Sequence, residues 1–271
     1  MDNITVIIPV HEYNDKVQEL LGNAIKSVPN EIKIVLSCFS DIANKIEKLL
    51  KTENENVEIQ YSPKSTFCGL VNDAVEKITT KWFSILEFDD IYTRIWFDEF
   101  NKYSQFNQDV SVFLPMEDII DFESKGFIGY GNEAVWASSF SNELGYIDND
   151  CLQNFFDFYM TGGIFNTDDW KEVGGLKESI TLTFWYEFLL RLTYNGKKVF
   201  VVPRIGYIHN MNRNGSLIKI YNDTISQKES EKWITLAKQE YYFKRDRKRM
   251  GRKMGYTISF PKFKCRSRRF N

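Results

Sequence analysis

The chain is poor in the residues that build metal and redox centres. With only two histidines, His11 and His209, a histidine-rich metal site is excluded. Its four cysteines, Cys38, Cys68, Cys151 and Cys265, show no C-x-x-C spacing. That argues against a zinc frame or a disulfide scaffold and points to free thiols in a reducing compartment. No apolar run approaches the length that crosses a bilayer. The first residues carry Asp2 where a secretory signal carries positive charge, and Pro9 interrupts the apolar stretch, so this segment reads as a strand. A cytoplasmic location is the expectation. No internal repeat and no low-complexity linker is visible.

What is present is core-forming material and polarised charge. The 271 residues are 43% hydrophobic and 15% aromatic, enough to bury a sizeable core and too apolar for a disordered chain. The net charge of −2 hides an asymmetry. From Tyr241 to Asn271 there are 12 Lys and Arg against one acid, a balance of +11, which leaves −13 on the rest. An acidic body therefore carries a basic C-terminal tail. In Lys244–Arg269 the charges are interleaved with aromatics such as Phe260 and Phe263. This suits contact with an anionic membrane surface, with nucleic acid or another acidic partner, or with the chain's own acidic body.

Hydrophobic periodicity orders the first 90 residues as alternating strands and helices. Apolar runs at Ile4–Val10, Ile32–Leu36, Val57–Tyr61 and Trp82–Phe88 read as strands. Helical spacing appears between them, from Asp15 to about Val28, from Asp41, and over Gly69–Ile78. This order predicts an open, mostly parallel sheet flanked by helices, with ligands bound beyond the C-terminal strand ends. Further on, helices are expected at Trp96–Tyr103, Thr167–Val173 and Thr183–Tyr194, and strands at Val110–Pro115 and Lys198–Val202. Gly126–Gly131 reads as a turn, and 226–250 as one long charged helix.

The fourth strand carries the most information. Phe83-Ser-Ile-Leu-Glu-Phe-Asp-Asp-Ile91 runs from apolar core into Glu87, Asp89 and Asp90. Clustered carboxylates beside a core are costly unless paired, and a hard divalent cation that also takes phosphate oxygens is the usual partner.

The ordered set resembles the family 2 glycosyltransferases with the GT-A fold. It comprises Thr5-Val-Ile-Ile-Pro9, Asn72 followed by Leu86-Glu-Phe-Asp-Asp90, Val173-Gly-Gly-Leu176, Phe188-Leu-Leu-Arg-Leu192, and Tyr207-Ile-His209 with Ser216. The resemblance implies an inverting transfer from a nucleotide-diphosphate sugar, a UDP-sugar first, to a glycan or lipid-linked hydroxyl, with Mn²⁺ or Mg²⁺. It implies a nucleotide-sugar half over 1–95, an acceptor half over 96–216, and a C-terminal helix and basic tail over 217–271. Donor contacts are expected from Pro9, His11, Tyr13, Ser37, Glu87, Asp89 and Arg213. The metal is expected on Asp89 and His209, and the sugar or acceptor near Gly162, Gly163 and Trp185.

Two segments depart from the family pattern. Val35-Leu-Ser-Cys-Phe-Ser-Asp41 stands where an acidic base-reading segment is usual. Phe184-Trp185 stands where the family carries a Glu-Asp pair whose Asp is the general base. Glu187 is the nearest carboxylate, with Asp168, Asp169 and Glu178 as other candidates. A nucleotidyltransferase is the competing enzyme class, although His11-Glu-Tyr-Asn-Asp15 lacks the Gly-rich basic loop it needs. A GT-A-shaped binding or structural protein without catalysis is the non-enzyme alternative.

Overall fold

β1 (Ile4–Val10) is buried at every position, as a central strand covered on both faces must be. In the computed structural model, which describes residues 3–50 and 56–241, β1 is followed by α1 (Asp15–Ser27), β2 (Lys33–Cys38), α2 (Ser40–Leu50), β3 (Val57–Tyr61), α3 (Phe67–Lys77) and β4 (Trp82–Ile85). The N-cap of α1 is Asn14, whose side chain accepts from the Val17 amide, and Asp15 opens the first turn. Thr66 caps α3 in the same way. All pairings here are parallel, with Ile7 opposite both Val35 and Ile85. The order is β3-β2-β1-β4.

The chain continues through β5 (Ile91–Tyr92), α4 (Trp96–Phe106), β6 (Val110–Asp121), β7 (Phe127–Gly131), β8 (Tyr146–Ile147), α5 (Asn149–Asn154), β9 (Ile164–Asn166), α6 (Thr167–Val173), α7 (Phe184–Tyr194), β10 (Lys198–Met211), α8 (Leu217–Thr224) and α9 (Gln227–Glu240). These strands extend the same sheet as β4-β9-β6-β10-β5, with β7 on β6 and β8 on β10. Here the pairing is mixed. β9 is antiparallel to β4 and β6, and β10 is parallel to β6. One face of the sheet packs on α3, α6 and α7 through Val71, Trp170 and Phe188. The other packs on α1, α2 and α4 through Leu21, Ile46 and Phe97. The result is a helix–sheet–helix sandwich whose single sheet runs through both the 1–95 and 96–216 segments.

Three sequence expectations shift. The strand expected over Trp82–Phe88 stops at Ile85, because the Gly162 amide takes the Ile85 carbonyl; Glu87, Asp89 and Asp90 therefore lie on the loop beyond it. The turn expected at Gly126–Gly131 is mostly strand: Phe127–Gly131 is β7, and the reversal falls between Asp121 and Gly126, where Asp121 accepts from the Ser124 amide. The strand expected at Lys198–Val202 continues to Met211 as β10, with its register on β6 shifting between Val202 and Tyr207. The helix expected over 226–250 is described only as Gln227–Glu240, and the basic stretch 244–269 lies outside the described residues. Among the described residues no helix is long and apolar enough to cross a membrane.

Candidate functional site

The C-terminal ends of β1 and β4 meet the far end of β10. β5 pairs antiparallel with β10, with Ile91 opposite Ile208, and this brings Asp90 to His209 across 119 residues of sequence. His209 Nδ1 lies 2.9 Å from Asp90 Oδ2, and the Asn210 amide donates to Asp90 Oδ1 at 2.7 Å. Asn210 Nδ2 donates to the Asp89 carbonyl at 2.7 Å. After β10 the chain turns tightly, with Asn212 at φ 66° and Gly215 at φ 86°. That turn points Arg213 back at the acids. Its Nε donates to Asp89 Oδ2 at 2.5 Å and its Nη2 to Glu12 Oε1 at 2.9 Å.

This cluster is buried and its titrations are displaced. Asp89, Asp90, His209 and Arg213 are 9%, 1%, 5% and 4% exposed. Burial, reinforced by Asp90 and Asp89, pushes the Glu87 carboxyl up to about 8. Burial likewise lifts Glu117 to about 8. Burial opposes the charge on His209, but Asp90, Glu117 and Glu87 outweigh it and raise the imidazole to about 10. For Asp89, burial and Asp90 raise the carboxyl while Arg213 opposes the shift.

His11 follows β1 and packs on the Phe88 ring, with centroids 5.2 Å apart. Both of its ring nitrogens are buried without a hydrogen-bond partner among the described residues. Burial lowers it to about 4, so the ring is neutral, one nitrogen a donor and the other an acceptor. An unpaired polar edge of this kind is what a ligand's polar groups would satisfy. A cleft of about 440 Å³ reaches Asp89 and Asp90 from the side of α1, between Lys26 and Lys125.

Other expected residues are engaged elsewhere. The Ser37 hydroxyl is buried and donates to the Leu70 carbonyl at 2.8 Å, into the β2–α3 packing. Tyr13 reaches Gln18 on α1. Gly162 has φ 70°, and a Cβ there would run into the Tyr207 ring; one at Gly163 would lie 2.7 Å from a Leu114 methyl. Their lack of side chains therefore serves the packing of the loop against β6 and β10. Trp185 stacks on Phe165 and meets the edge of Phe67. Glu187, two residues along α7, has both oxygens taken. Arg191 Nε and Nη2 each donate to it at 2.9 Å, and Lys177 Nζ lies 3.0 Å away. Asp169 pairs with Lys197 and Glu178 with Lys64. Asn72 clamps Leu176, donating to its carbonyl and accepting from its amide.

No family model matches the chain. An uncharacterized glycosyltransferase of Mycoplasma genitalium is 26% identical over 110 residues, 38% of this chain and 37% of that protein. Among solved structures, S. aureus TarS 1–349 in complex with UDP-GlcNAc matches with TM-score 0.58 at 12% identity, over 80% of this chain and 60% of that one. Mannosyltransferase PcManGT from Pyrobaculum calidifontis, in complex with GDP-Man and Mn²⁺, matches with TM-score 0.58 at 13% identity, over 79% and 58%. The fold is glycosyltransferase-like. The chain spans 37% of the curated relative's length and about 60% of these two structures.

A glycosyltransferase-like fold invites a test of fit for a divalent cation. Mg²⁺ is commonly held by one or two carboxylates plus substrate phosphates, so the question falls on Asp89. That carboxylate is already bonded through Oδ2 to a guanidinium that cannot deprotonate. His209 meets Asp90 through Nδ1, the orientation that a histidine presenting Nε2 to a metal commonly has. Among the described residues no three His, Cys, Asp or Glu side chains gather as a metal-ligand set. Asp89 therefore does not fit a metal while its carboxylate holds Arg213.

Several residues of the cluster escaped the sequence reading. The partners of Asp90 and the role of Glu12 become visible only in the fold. Glu117 is wholly buried on β6, with Oε1 bonded to the Thr161 hydroxyl at 3.0 Å and Oε2 unpaired. A signal for it exists: it sits in phase with buried Phe113, Pro115 and Ile119 along the strand, where a carboxylate is out of place.

Proposed function

We propose that this protein is a glycosyltransferase that takes a sugar from a nucleotide-diphosphate sugar, a UDP-sugar first, and passes it to a hydroxyl of a glycan or lipid-linked acceptor with inversion. The observation that carries the reading is the neutral, unpaired His11 ring standing beside Arg213 and the Glu87–Asp89–Asp90 loop, at the strand ends of a glycosyltransferase-like sheet. His11 meets the base, with Pro9, Tyr13 and Ser37 shaping its surroundings. Arg213 neutralises the diphosphate as it leaves, and Glu87 and Asp89 hold the donor side of the cleft. Gly162, Gly163 and Trp185 lie toward the sugar and acceptor. No step is routed through the divalent cation implied by the resemblance, because the Asp89 carboxylate already holds Arg213. The tail at 244–269 brings the enzyme to an anionic surface.

For the acceptor proton the sequence offers Glu187, which would first have to leave Arg191 and Lys177. That engagement, with Trp185 at the start of α7, favours a second reading in which the protein binds nucleotide sugars without transferring them. Incubation with UDP- and GDP-sugars and a panel of glycan acceptors separates the two. Release of nucleoside diphosphate that rises with acceptor, and that falls at least about tenfold in Asp89→Asn and His11→Ala, supports transfer. Saturable donor binding with no turnover supports the second reading. Neither binding nor turnover in folded protein overturns both.

A further inference from the structure

We propose that Arg213 occupies the place of a divalent cation, so that this chain grips a nucleoside diphosphate through a guanidinium held on Asp89 and needs no metal to do so. The inference rests on the donor-site reading above and names how that site meets its anion. A carboxylate at the end of a nucleotide-binding strand is useful to a diphosphate only through a cation placed between the two. Here the chain supplies that cation itself. Arg213 is anchored by two acids, Asp89 on Nε and Glu12 on Nη2, and its guanidinium lies over the Phe88 ring, 5.1 Å from the centroid. The adjoining turn is pinned as well. Asn212 donates to Asp121 at the β6–β7 reversal, and Ser216 caps α8 by accepting from the Lys219 amide. The arginine is therefore held in position before a ligand arrives.

A guanidinium has five N–H donors in a planar fork. Asp89 and Glu12 engage Nε and Nη2, while Nη1 makes no hydrogen bond to either acid. That free edge suits two phosphate oxygens in a bidentate contact, which gives direction as well as charge. A divalent ion on Asp89 would instead have to share the carboxylate with a buried, permanently charged group, against like-charge repulsion in a site shielded from water. Displacing Arg213 would strand its charge in the core.

The test is calorimetric titration of UDP and GDP into the full chain, in chelator and in Mn²⁺. Wild type is expected to bind one of them with affinities within about twofold in the two buffers. Arg213→Ala is expected to weaken binding in chelator by at least about tenfold, and Mn²⁺ is expected to restore part of it through the freed Asp89. A merely structural arginine would give no such rescue. Arg213→Lys keeps a cation on Asp89 and is expected to bind without metal, several-fold more weakly. Wild-type binding that appears only with Mn²⁺ overturns the inference, and this arm needs no variant to fold. Absence of binding in both buffers overturns the donor-site reading itself, and the inference with it.

Discussion

Glu187, the carboxylate nearest the family's general-base position, sits in a buried ion-pair network. It lies on the inner face of α7 and takes three donor contacts, two from Arg191 and one from Lys177, while Arg191 also donates to the Val173 and Gly175 carbonyls. The pair ties α7 to the turn after α6. Burial works against its charge, but Arg191 and Lys177 prevail and hold the carboxyl below its ordinary value of 4.5. A depressed folded value means the contribution to stability is fully present above that ordinary value and is lost as pH falls through the lowered one. Glu187→Gln is expected to cost about 3 kcal/mol in urea unfolding at neutral pH, because a buried arginine loses its charge partner. The variant should also show a shallower loss of stability on acidification below about pH 5. Lost turnover at an unchanged unfolding midpoint would instead give Glu187 the base role. In the sequence Glu187 was the carboxylate nearest the missing Glu-Asp pair, and its spacing from Arg191 was also visible. The Lys177 contact was not, since only the fold brings that loop to α7.

At the scale of elements, the first half of the sheet was legible because strands and helices alternate along the chain, although α3 carries it from β3 past β2 and β1 to β4. Periodicity alone then gives the order, and capping residues mark the starts. The second half was not. β9 has three residues wedged between β4 and β6, and β10 runs for 14 residues beside β6, 88 residues away at the Lys198–Val110 pair. Such pairings leave little local trace. Glycines at 162 and 163 were visible, but the close approach of Tyr207 and Leu114 to them was not. This element bears a direct test. Gly162 holds a positive φ, donates its amide to Ile85, and has no room for a methyl group beside Tyr207. Gly162→Ala is expected to destabilise by about 2–4 kcal/mol, combining backbone strain with overpacking, as read by denaturant unfolding. A loss under about 0.5 kcal/mol would show that the loop can move away from β10 at little cost.

Across the whole molecule, charge is divided as sharply as topology. Tyr241–Asn271 carries +11 and the remaining chain −13. The last described residue, Tyr241, is fixed to the body: Lys177 donates to its hydroxyl at 2.8 Å, and its ring meets Tyr194. The basic segment is thus joined to the α7–α9 side of the protein, beside the Glu187 network and not at the Arg213 cluster. Truncation after Tyr241 should therefore leave nucleotide binding and the unfolding midpoint unchanged while removing any surface attraction. In co-sedimentation, the full chain is expected to pellet with vesicles containing about 30% anionic lipid at low salt, and to stay in solution with neutral vesicles. About 0.5 M salt should release it, because the Debye length there is only a few ångströms. The truncated chain should remain in the supernatant throughout. Equal sedimentation of the two forms would remove the tail from surface attachment. Loss of nucleotide binding in the truncated form would assign those residues to the donor site instead.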